Sequence, residues 1–135
     1  AAPLILCSMG TTTVLSVIDE KSRFVGAVIS AGAGTTLDSF TKKTALLPHV
    51  TFECPQHVIG KNSVSSIQSG LLYGTAAMID GLILRIREEL GENAQTVATG
   101  KMTKRIIPLC REPITVHPYL LLEGLYRIYE KNRTK

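Results

Sequence analysis

The fold is decided by the stretch PLILCSMGTTTVLSVIDEKSRFVGAVIS, residues 3–30. It holds three short apolar runs, at 3–9, 14–19 and 24–30, each rich in aliphatic and β-branched residues. GTTT separates the first two runs and EKSR separates the second and third, and both are polar turn sequences. Short strands joined by tight turns predict an antiparallel meander of three strands.

The rest of the chain alternates between helical and strand patterns. Thr35 or Thr36 can cap a helix that runs to about Leu47, with Asp38 in its first turn. A long apolar period of 3.6 residues predicts a helix over 64–90, capped by Asn62 or Ser63 and ended by Gly91. Further elements are predicted as strands at 95–99 and 114–117, a short basic helix at 100–109 and a final helix at 119–132. A meander followed by alternating helices and strands indicates an α/β fold, here a single domain over 1–135.

Composition excludes several classes of protein. With 44% hydrophobic and 19% charged residues among 135, the chain is not of the disordered type. The formal charge of +4 suits anionic small molecules, or simply an ordinary solvated surface. No nucleic-acid module accompanies the basic residues, so no nucleic-acid partner is expected. Asp80 interrupts the best apolar run, so no membrane segment is expected, and AAPLILC has no basic leader.

The cysteines indicate a reducing compartment. Cys7, Cys54 and Cys110 are odd in number and form no CxxC pair. Cys7 lies within an apolar run and is expected in the core. We therefore expect no disulfide framework and a cytoplasmic location.

Two glycine-containing turns are candidate phosphate sites. Gly10, Thr11, Thr12 and Thr13 lie between two predicted strands, where backbone N–H groups and hydroxyls together suit phosphate oxygens. The stretch ATG at 98–100 ends a predicted strand and opens a predicted helix, where anions are favoured. Neither matches a Walker loop, and each taken alone is more simply understood as a plain tight turn.

Small residues recur at about four-residue spacing in the long helix, at Gly70, Gly74, Ala77 and Gly81. Glycine costs about 0.8–1 kcal/mol of helix propensity relative to alanine. A helix that tolerates three of them is expected to pack closely against another backbone. The pattern leaves open whether that backbone belongs to the same chain or to a second subunit.

The titratable residues form no recognisable catalytic or metal pattern. The three histidines share no metal-ligand spacing with one another or with a cysteine. Asp19 and Glu20 belong to a predicted hairpin turn, and Asp80 to a helix surface. We therefore predict no metal ligand and no catalytic residue in this chain.

The chain contains a series of short motifs in a fixed order: SMGTTT (8–13), FVGAVISAG (24–32), LLP (46–48), GKNS (60–63), QSG (68–70), YG (73–74), DG (80–81), ATG (98–100) and LEGL (122–125). In this order and spacing they resemble the type III pantothenate kinases over nearly the whole chain.

The resemblance is to the second half of a two-domain enzyme of the sugar-kinase and actin superfamily. It implies an actin-like, ribonuclease H-like domain. It also implies phosphoryl transfer from ATP to pantothenate in coenzyme A synthesis, with Mg²⁺ and a monovalent cation, K⁺ or NH₄⁺. Members of the family are cytoplasmic and dimeric, and the Gly-rich helix at 64–90 fits their subunit contact.

Site residues follow from the same resemblance, position by position. The turn Gly10, Thr11, Thr12 and Thr13 would hold the ATP phosphates. Residues Ala98, Thr99 and Gly100 would lie near the adenosine. The family's Gly-x-Asn-Thr, which contributes to pantothenate binding across the dimer interface, is matched here by Gly60, Asn62 and Ser63.

The departures from the family pattern fall where ATP chemistry occurs. Ser8 and Ser16 replace two acidic residues, Val14 replaces a threonine, and Lys101 replaces a glycine. The first-half motifs, Asp-x-Gly-Asn-Thr and the Gly-x-Asp-Arg with the general base, are missing from this sequence. Hard cations require oxygen ligands, usually carboxylates, and serine is a poor substitute.

Two interpretations of function remain. In one, the chain is part of a dimeric or heteromeric pantothenate kinase whose first domain lies on another polypeptide. In the other, it is a catalytically degenerate binding or scaffold subunit that completes a partner kinase's pantothenate pocket through Asn62 and Ser63. Both predict that the chain alone transfers no phosphate.

Overall fold

The computed structural model describes residues 2–43 and 48–133, which form a mixed α/β structure. Its strands are β1 (Leu4–Met9), β2 (Thr12–Ile18), β3 (Phe24–Ala31), β4 (Gln95–Thr99) and β5 (Thr115–Val116). Its helices are α1 (Ala33–Lys43), α2 (Ser63–Leu90), α3 (Thr103–Ile106) and α4 (Leu120–Arg133), and a 3₁₀ turn spans Ile107–Leu109.

The strands form one sheet in the order β3-β2-β1-β4-β5. The predicted meander is confirmed, because β1 pairs antiparallel with β2 and β2 with β3. β4 then adds parallel to β1, and β5 parallel to β4. The carboxyl ends of β1, β4 and β5 therefore lie at the same edge of the sheet.

The core lies between one face of this sheet and α2. Side chains alternate in burial along β1, where Ile5 and Cys7 are fully buried. From α2, Ile79 and Ile83 pack against them in the same cluster, as the helical apolar period predicts. Burial raises the pKa of the Cys7 thiol to about 11, and its predicted core position is confirmed.

Helix α2 begins and ends as the sequence predicts. The Asn62 side chain accepts a hydrogen bond from the backbone N–H of Ser65 at 2.9 Å, and the Ser65 hydroxyl accepts one from the Asn62 N–H at 3.3 Å. This reciprocal pair satisfies two donors that the helix leaves unpaired at its start. Gly91 ends the helix in the left-handed conformation, with φ of 68°.

Helix α2 is also long and apolar enough to cross a membrane by length and composition alone, which the sequence reading did not expect. Its mean hydropathy reaches 1.3 over a window of 18 residues. However, Leu72, Ile79 and Ile83 are part of the domain core, and core helices meet the same criterion.

Two predicted boundaries were wrong. Helix α1 begins at Ala33, so neither Thr35 nor Thr36 caps it, and its first turn contains no acidic residue. Its predicted end at Leu47 falls outside the described residues. The predicted basic helix at 100–109 starts only at Thr103 and becomes a 3₁₀ turn at Ile107. Pro108 explains the change, since it lacks the N–H that an α-helix would use.

The last helix, α4, projects from the domain. Its 14 residues include no buried one, and it makes little contact with the other elements. Large apolar side chains along it are more than half exposed.

Candidate functional site

The structure brings the two predicted phosphate segments together at the carboxyl edge of the sheet. In the strand register, Ser8 lies opposite Val14 on β2 and opposite Thr99 on β4. The turn after β1 and the turn after β4 are therefore neighbours, about one strand spacing of 4.8 Å apart. The sequence of either segment alone does not predict that the two turns are neighbours.

The predicted turn at Gly10–Thr13 is shorter in the structure, because Thr12 and Thr13 already belong to β2 and leave only Gly10 and Thr11 between the strands. This turn is held by its own backbone and by the start of α1. The Gly10 N–H donates to the Thr12 carbonyl at 2.9 Å. The Thr11 carbonyl accepts the Gly32 N–H at 3.0 Å and the Thr35 hydroxyl at 2.8 Å. Thr35, which sequence reasoning assigned to a helix cap, instead fixes the candidate phosphate turn.

Glycines allow backbones to approach closely on both sides of this turn. A Cβ on Gly32 would lie within 3 Å of the backbone oxygens of Gly10 and Thr11. A Cβ on Gly100, whose φ is 111°, would lie within 3 Å of the Met9 backbone. Any side chain at these positions would displace the turn, so both glycines are structural requirements of the edge.

Only part of the predicted residue set presents its side chains to solvent. Thr11 and Thr12 are exposed, and Thr99 is half-buried. Thr13 is 2% exposed and Ala98 is fully buried on the core side, so neither offers a side chain to a ligand. The accessible hydroxyls are those of Thr11, Thr12 and Thr99, whereas the Gly10 N–H is engaged with the Thr12 carbonyl.

Serine hydroxyls stand at the two positions where the resemblance leads us to expect acidic residues. Ser8 is exposed and Ser16 is half-buried, and both lie on the sheet face opposite the core. In the described ranges 2–43 and 48–133, no group of three or more His, Cys, Asp and Glu side chains could hold a metal ion. Mg²⁺ binding relies on carboxylates and substrate phosphates. The hydroxyls of this chain alone therefore do not fit a magnesium site.

The short helix after β4 adds no anion site. Gly100 forms a separate turn before it, and the Thr103 hydroxyl caps that turn by donating to the Gly100 carbonyl at 2.8 Å. Helix α3 has only four residues, too few for a significant dipole at its start. Lys101 is exposed beside this turn.

The second predicted set, Gly60, Asn62 and Ser63, lies at the start of α2. The Asn62 side chain is engaged in the helix cap, as described above. Ser63 is exposed, and its hydroxyl has no hydrogen-bond partner within the described part of the chain. Gly60 packs so closely on Ser66 that a Cβ would lie within 3 Å of its backbone. Ser63 therefore has its hydroxyl available for a substrate, and the exposed Asn62 retains its side-chain NH₂ group, because the cap engages only its side-chain oxygen.

Three polar residues of α2, which sequence reasoning did not assign, fix the preceding segment. Gln68 donates to the Thr51 carbonyl at 3.1 Å, Ser69 donates to the Val58 carbonyl, and the Tyr73 hydroxyl donates to the Pro55 carbonyl at 3.4 Å. A hydrogen bond with Cys54 raises the pKa of Tyr73. Gln68 and Ser69 are buried polar residues. Polar residues on the buried face of a helix need hydrogen-bond partners, and this was the sequence signal that could have predicted these contacts.

Asp80 is another residue that sequence reasoning misjudged. It is half-buried rather than a plain surface residue, and its two carboxylate oxygens accept the N–H groups of Arg111 and Glu112 at 2.8 and 3.0 Å. Glu112 in turn pairs with Arg87 at 2.5 Å. Burial, and then the Asp80 charge, raise the pKa of Cys110 to about 12.

The small-residue stripe of α2 faces open space. No atom in the described ranges would contact a Cβ on Gly70, Gly74 or Gly81. An open cleft of about 700 Å³ runs along this face, bounded by Tyr73 and Asp80 among others. The described part of the same chain therefore does not supply the close-packed backbone, and a subunit contact stays a prediction.

A family model and two relatives of known family agree with one another on the family of this chain. A family model described as type III pantothenate kinase matches residues 1–85. The type III pantothenate kinase of Dictyoglomus turgidum is 42% identical over 130 residues, which is 95% of this chain and 51% of the relative. That of Anaeromyxobacter sp. is 38% identical over 130 residues, 96% of this chain and 51% of the relative. The chain thus spans about half the length of these relatives.

A solved structure shows the same fold. It is described as a conserved putative Baf family transcriptional activator from Campylobacter jejuni. It superposes with a TM-score of 0.67 over 97% of this chain and 59% of its own, at 13% identity. At that identity the similarity shows the fold alone.

Proposed function

This chain belongs to the type III pantothenate kinase family, and on that basis we propose that it forms part of an ATP-dependent pantothenate kinase. The reaction would transfer a phosphoryl group from ATP to pantothenate, in coenzyme A biosynthesis. Because the chain spans half the length of its relatives, the complete activity would require a further domain.

The observation that carries this proposal is the meeting of the two glycine turns at one sheet edge. The strand register places Ser8, at the end of β1, beside Thr99, at the end of β4. Phosphoryl transfer depends mainly on positioning and on charge stabilisation. The hydroxyls of Thr11 and Thr12 would hold the phosphates at the Gly10 turn, while the 98–100 turn would lie against the adenosine.

The accompanying proposals follow from the family. The domain would be of the actin-like, ribonuclease H-like type, which its strand order and its structural neighbour support. The kinase would be cytoplasmic, would use Mg²⁺ and a monovalent cation, and would contain a second subunit at the α2 stripe. Magnesium ligands would have to come from ATP and from outside residues 1–135, because Ser8 and Ser16 lack the charge.

A nucleotide titration tests the proposal. In a Thr11→Val and Thr12→Val double variant, two exposed hydroxyls are lost while the carbonyl that fixes the turn remains. Hydrogen bonds to charged groups are worth about 1.5–3 kcal/mol each, so ATP affinity should fall at least about tenfold. Thr115→Val, on the exposed edge strand β5, is the control and should leave affinity unchanged.

The titration uses a fluorescent ATP analogue, and thermal unfolding checks that both variants remain folded. Failure of the unmodified chain to bind ATP, or equal binding by the double variant, would reject the assignment of this turn to phosphate.

A second candidate function is favoured by the missing acids together with the free Ser63 hydroxyl. In that reading the chain is a catalytically degenerate subunit that completes a partner's pantothenate pocket. Ser63→Ala should weaken pantothenate binding in the assembled complex by about 0.5–1.5 kcal/mol, the worth of one neutral hydrogen bond. Ser63→Thr, which restores the hydroxyl, should recover the affinity in calorimetry. Unchanged affinity in Ser63→Ala would remove Ser63 from the pocket.

A further inference from the structure

Lys101 lies in a tight turn beside the candidate phosphate site. The Gly100 carbonyl accepts hydrogen bonds from the Thr103 N–H at 3.3 Å and from the Thr103 hydroxyl at 2.8 Å, so residues 100–103 form a closed turn. Thr103 is 3% exposed and anchors this turn in the domain. The backbone of Lys101, the second residue of the turn, is therefore fixed in place, while its side chain is exposed.

The turn at 100–103 is in close contact with the end of β1. A Cβ on Gly100 would lie within 3 Å of the Met9 backbone, and Met9 directly precedes Gly10. A lysine side chain reaches about 6 Å from its Cα through a stem of four carbons, which exceeds one strand spacing. The Lys101 ammonium can therefore reach a phosphate that is held at the neighbouring Gly10 turn.

The charge of Lys101 is not taken up by an acidic side chain. Within residues 2–43 and 48–133, Lys101 forms no ion pair. At the adjacent end of the sheet, the Glu123 carboxylate lies 3.7 Å from the His117 imidazole instead. The side chains of Ser8 and Ser16 are uncharged hydroxyls. The ammonium of Lys101 is thus left for an anion from solution.

The phosphates of a bound nucleotide need positive charge nearby. Mg²⁺ is one source of that charge, but the hydroxyls of this chain do not fit a magnesium site, as described above. Lysine is another source, because its ammonium binds phosphate as a point charge. We propose that Lys101 neutralises the nucleotide phosphates at the Gly10 turn, so that this chain binds ATP without a divalent metal. This inference rests on the proposed nucleotide site.

The charge of the ligand gives this proposal a measurable consequence. Metal-free ATP carries more negative charge than its magnesium complex, so a site whose charge is a single ammonium attracts it more strongly. A site built around a metal behaves in the opposite way, because the metal bridges the protein and the phosphates. The affinity for ATP in the absence of magnesium therefore distinguishes the two kinds of site.

The test titrates the chain of residues 1–135 with a fluorescent ATP analogue, once in EDTA and once in excess Mg²⁺. The variant is Lys101→Gln, and the matched control is Lys104→Gln, which removes an equal charge from an exposed position three residues away. In EDTA the unmodified chain should bind at least as tightly as in Mg²⁺. Lys101→Gln should lower the affinity in EDTA at least about tenfold, as expected for a hydrogen bond to a charged group, and Lys104→Gln should change it less than about twofold.

Two further measurements separate a charge contact from a structural effect. Lys101→Arg keeps the positive charge and should bind ATP within about threefold of the unmodified chain. Raising the salt concentration should weaken binding by the unmodified chain more than binding by Lys101→Gln, because salt screens the interaction that the variant lacks. Both lysines are exposed, so all three variants should unfold at the temperature of the unmodified chain.

Three results would overturn the inference: binding that appears only with Mg²⁺, equal affinity of Lys101→Gln and the unmodified chain, or an equal loss in Lys104→Gln, which would indicate a general effect of net charge. These results leave the proposed function in place, because the Thr11 and Thr12 variants test its phosphate turn separately. No ATP binding in either condition would instead reject the nucleotide site itself and this inference with it. Metal-free binding that depends on Lys101, in a chain that yields no phosphopantothenate with the complementary half of a relative, would support the inference and reject the kinase.

Discussion

Replacing Gly100 with alanine should destabilise the domain far more than the same change at Gly91. Both glycines have positive φ, 111° and 68°, a region that costs an L-residue about 1–2 kcal/mol. At Gly91 the new Cβ meets open space, whereas at Gly100 it would lie within 3 Å of the Met9 backbone. Forcing an extra methyl into packed backbone typically adds about 1–3 kcal/mol.

The expected losses in free energy of unfolding are therefore about 1 kcal/mol for Gly91→Ala and about 2–5 kcal/mol for Gly100→Ala. Urea unfolding, followed by circular dichroism, measures both. With a slope of about 1–3 kcal/mol per molar urea, the two midpoints should differ by roughly 1 M. Equal midpoints would refute the close approach of the 98–100 turn to β1. The candidate nucleotide edge would then lose its geometric basis.

Three further predictions concern α2 and the core. Asp80→Ala removes the acceptor for the N–H groups of residues 111 and 112, so it should lower the free energy of unfolding by about 2 kcal/mol and speed amide exchange at those two positions. Unchanged amide exchange would contradict the contact. Gly74→Leu should leave the chain folded, because the new side chain meets open space within the described residues, yet should separate subunits in sedimentation; a variant that stays fully dimeric places the interface elsewhere. Burial raises the pKa of Cys7 from 9.0 to about 11, so the unfolded state loses this proton first, and Cys7 should contribute a fall of about 1.4 kcal/mol per pH unit to the free energy of unfolding between pH 9 and 11. Because the raised pKa of Cys110 adds a slope of its own, Cys7→Val should reduce the slope by about that amount rather than abolish it, and an unchanged slope would show that the Cys7 thiol is not responsible.

The sequence predicted those parts of the fold that depend on local pattern. Alternating apolar residues placed the three strands of the meander to within two residues at each end, and the 3.6-residue period placed α2 to within one. Asn62 was recognised as a cap because its side chain satisfies donors only three residues away. Such features depend on near neighbours in the chain.

Features that depend on distant partners were predicted less well. Thr35 was expected to cap α1, but its hydroxyl instead bonds the Thr11 carbonyl, 24 residues away. Asp80 was read as surface because its partners lie 31 and 32 residues further along the chain. The buried side chain of Thr13 likewise depends on the pairing of β1 with β2, which places it opposite Met9 on the core side.

The candidate site was predicted as separate segments rather than as an arrangement. The resemblance named the turn at Gly10–Thr13 and the turn at 98–100, and the parallel pairing of β1 with β4 is what makes them adjacent. The exposure of α4 was not anticipated. An amphipathic pattern shows which face of a helix is apolar, but it does not show whether another part of the protein covers that face.

The most direct test of the account is phosphoryl transfer by the purified chain. The assay contains ATP, Mg²⁺, K⁺ and pantothenate and measures phosphopantothenate, first with the chain alone and then with the complementary half of a relative added. General-base catalysis typically raises a reaction rate 10²–10⁴-fold, and this sequence contains no candidate general base. It also has Ser8 and Ser16 where the resemblance leads us to expect acidic residues. The account predicts no product from the chain alone and product once the missing half is present. Turnover by the chain alone at an ordinary kinase rate, about 1–100 s⁻¹, would contradict it.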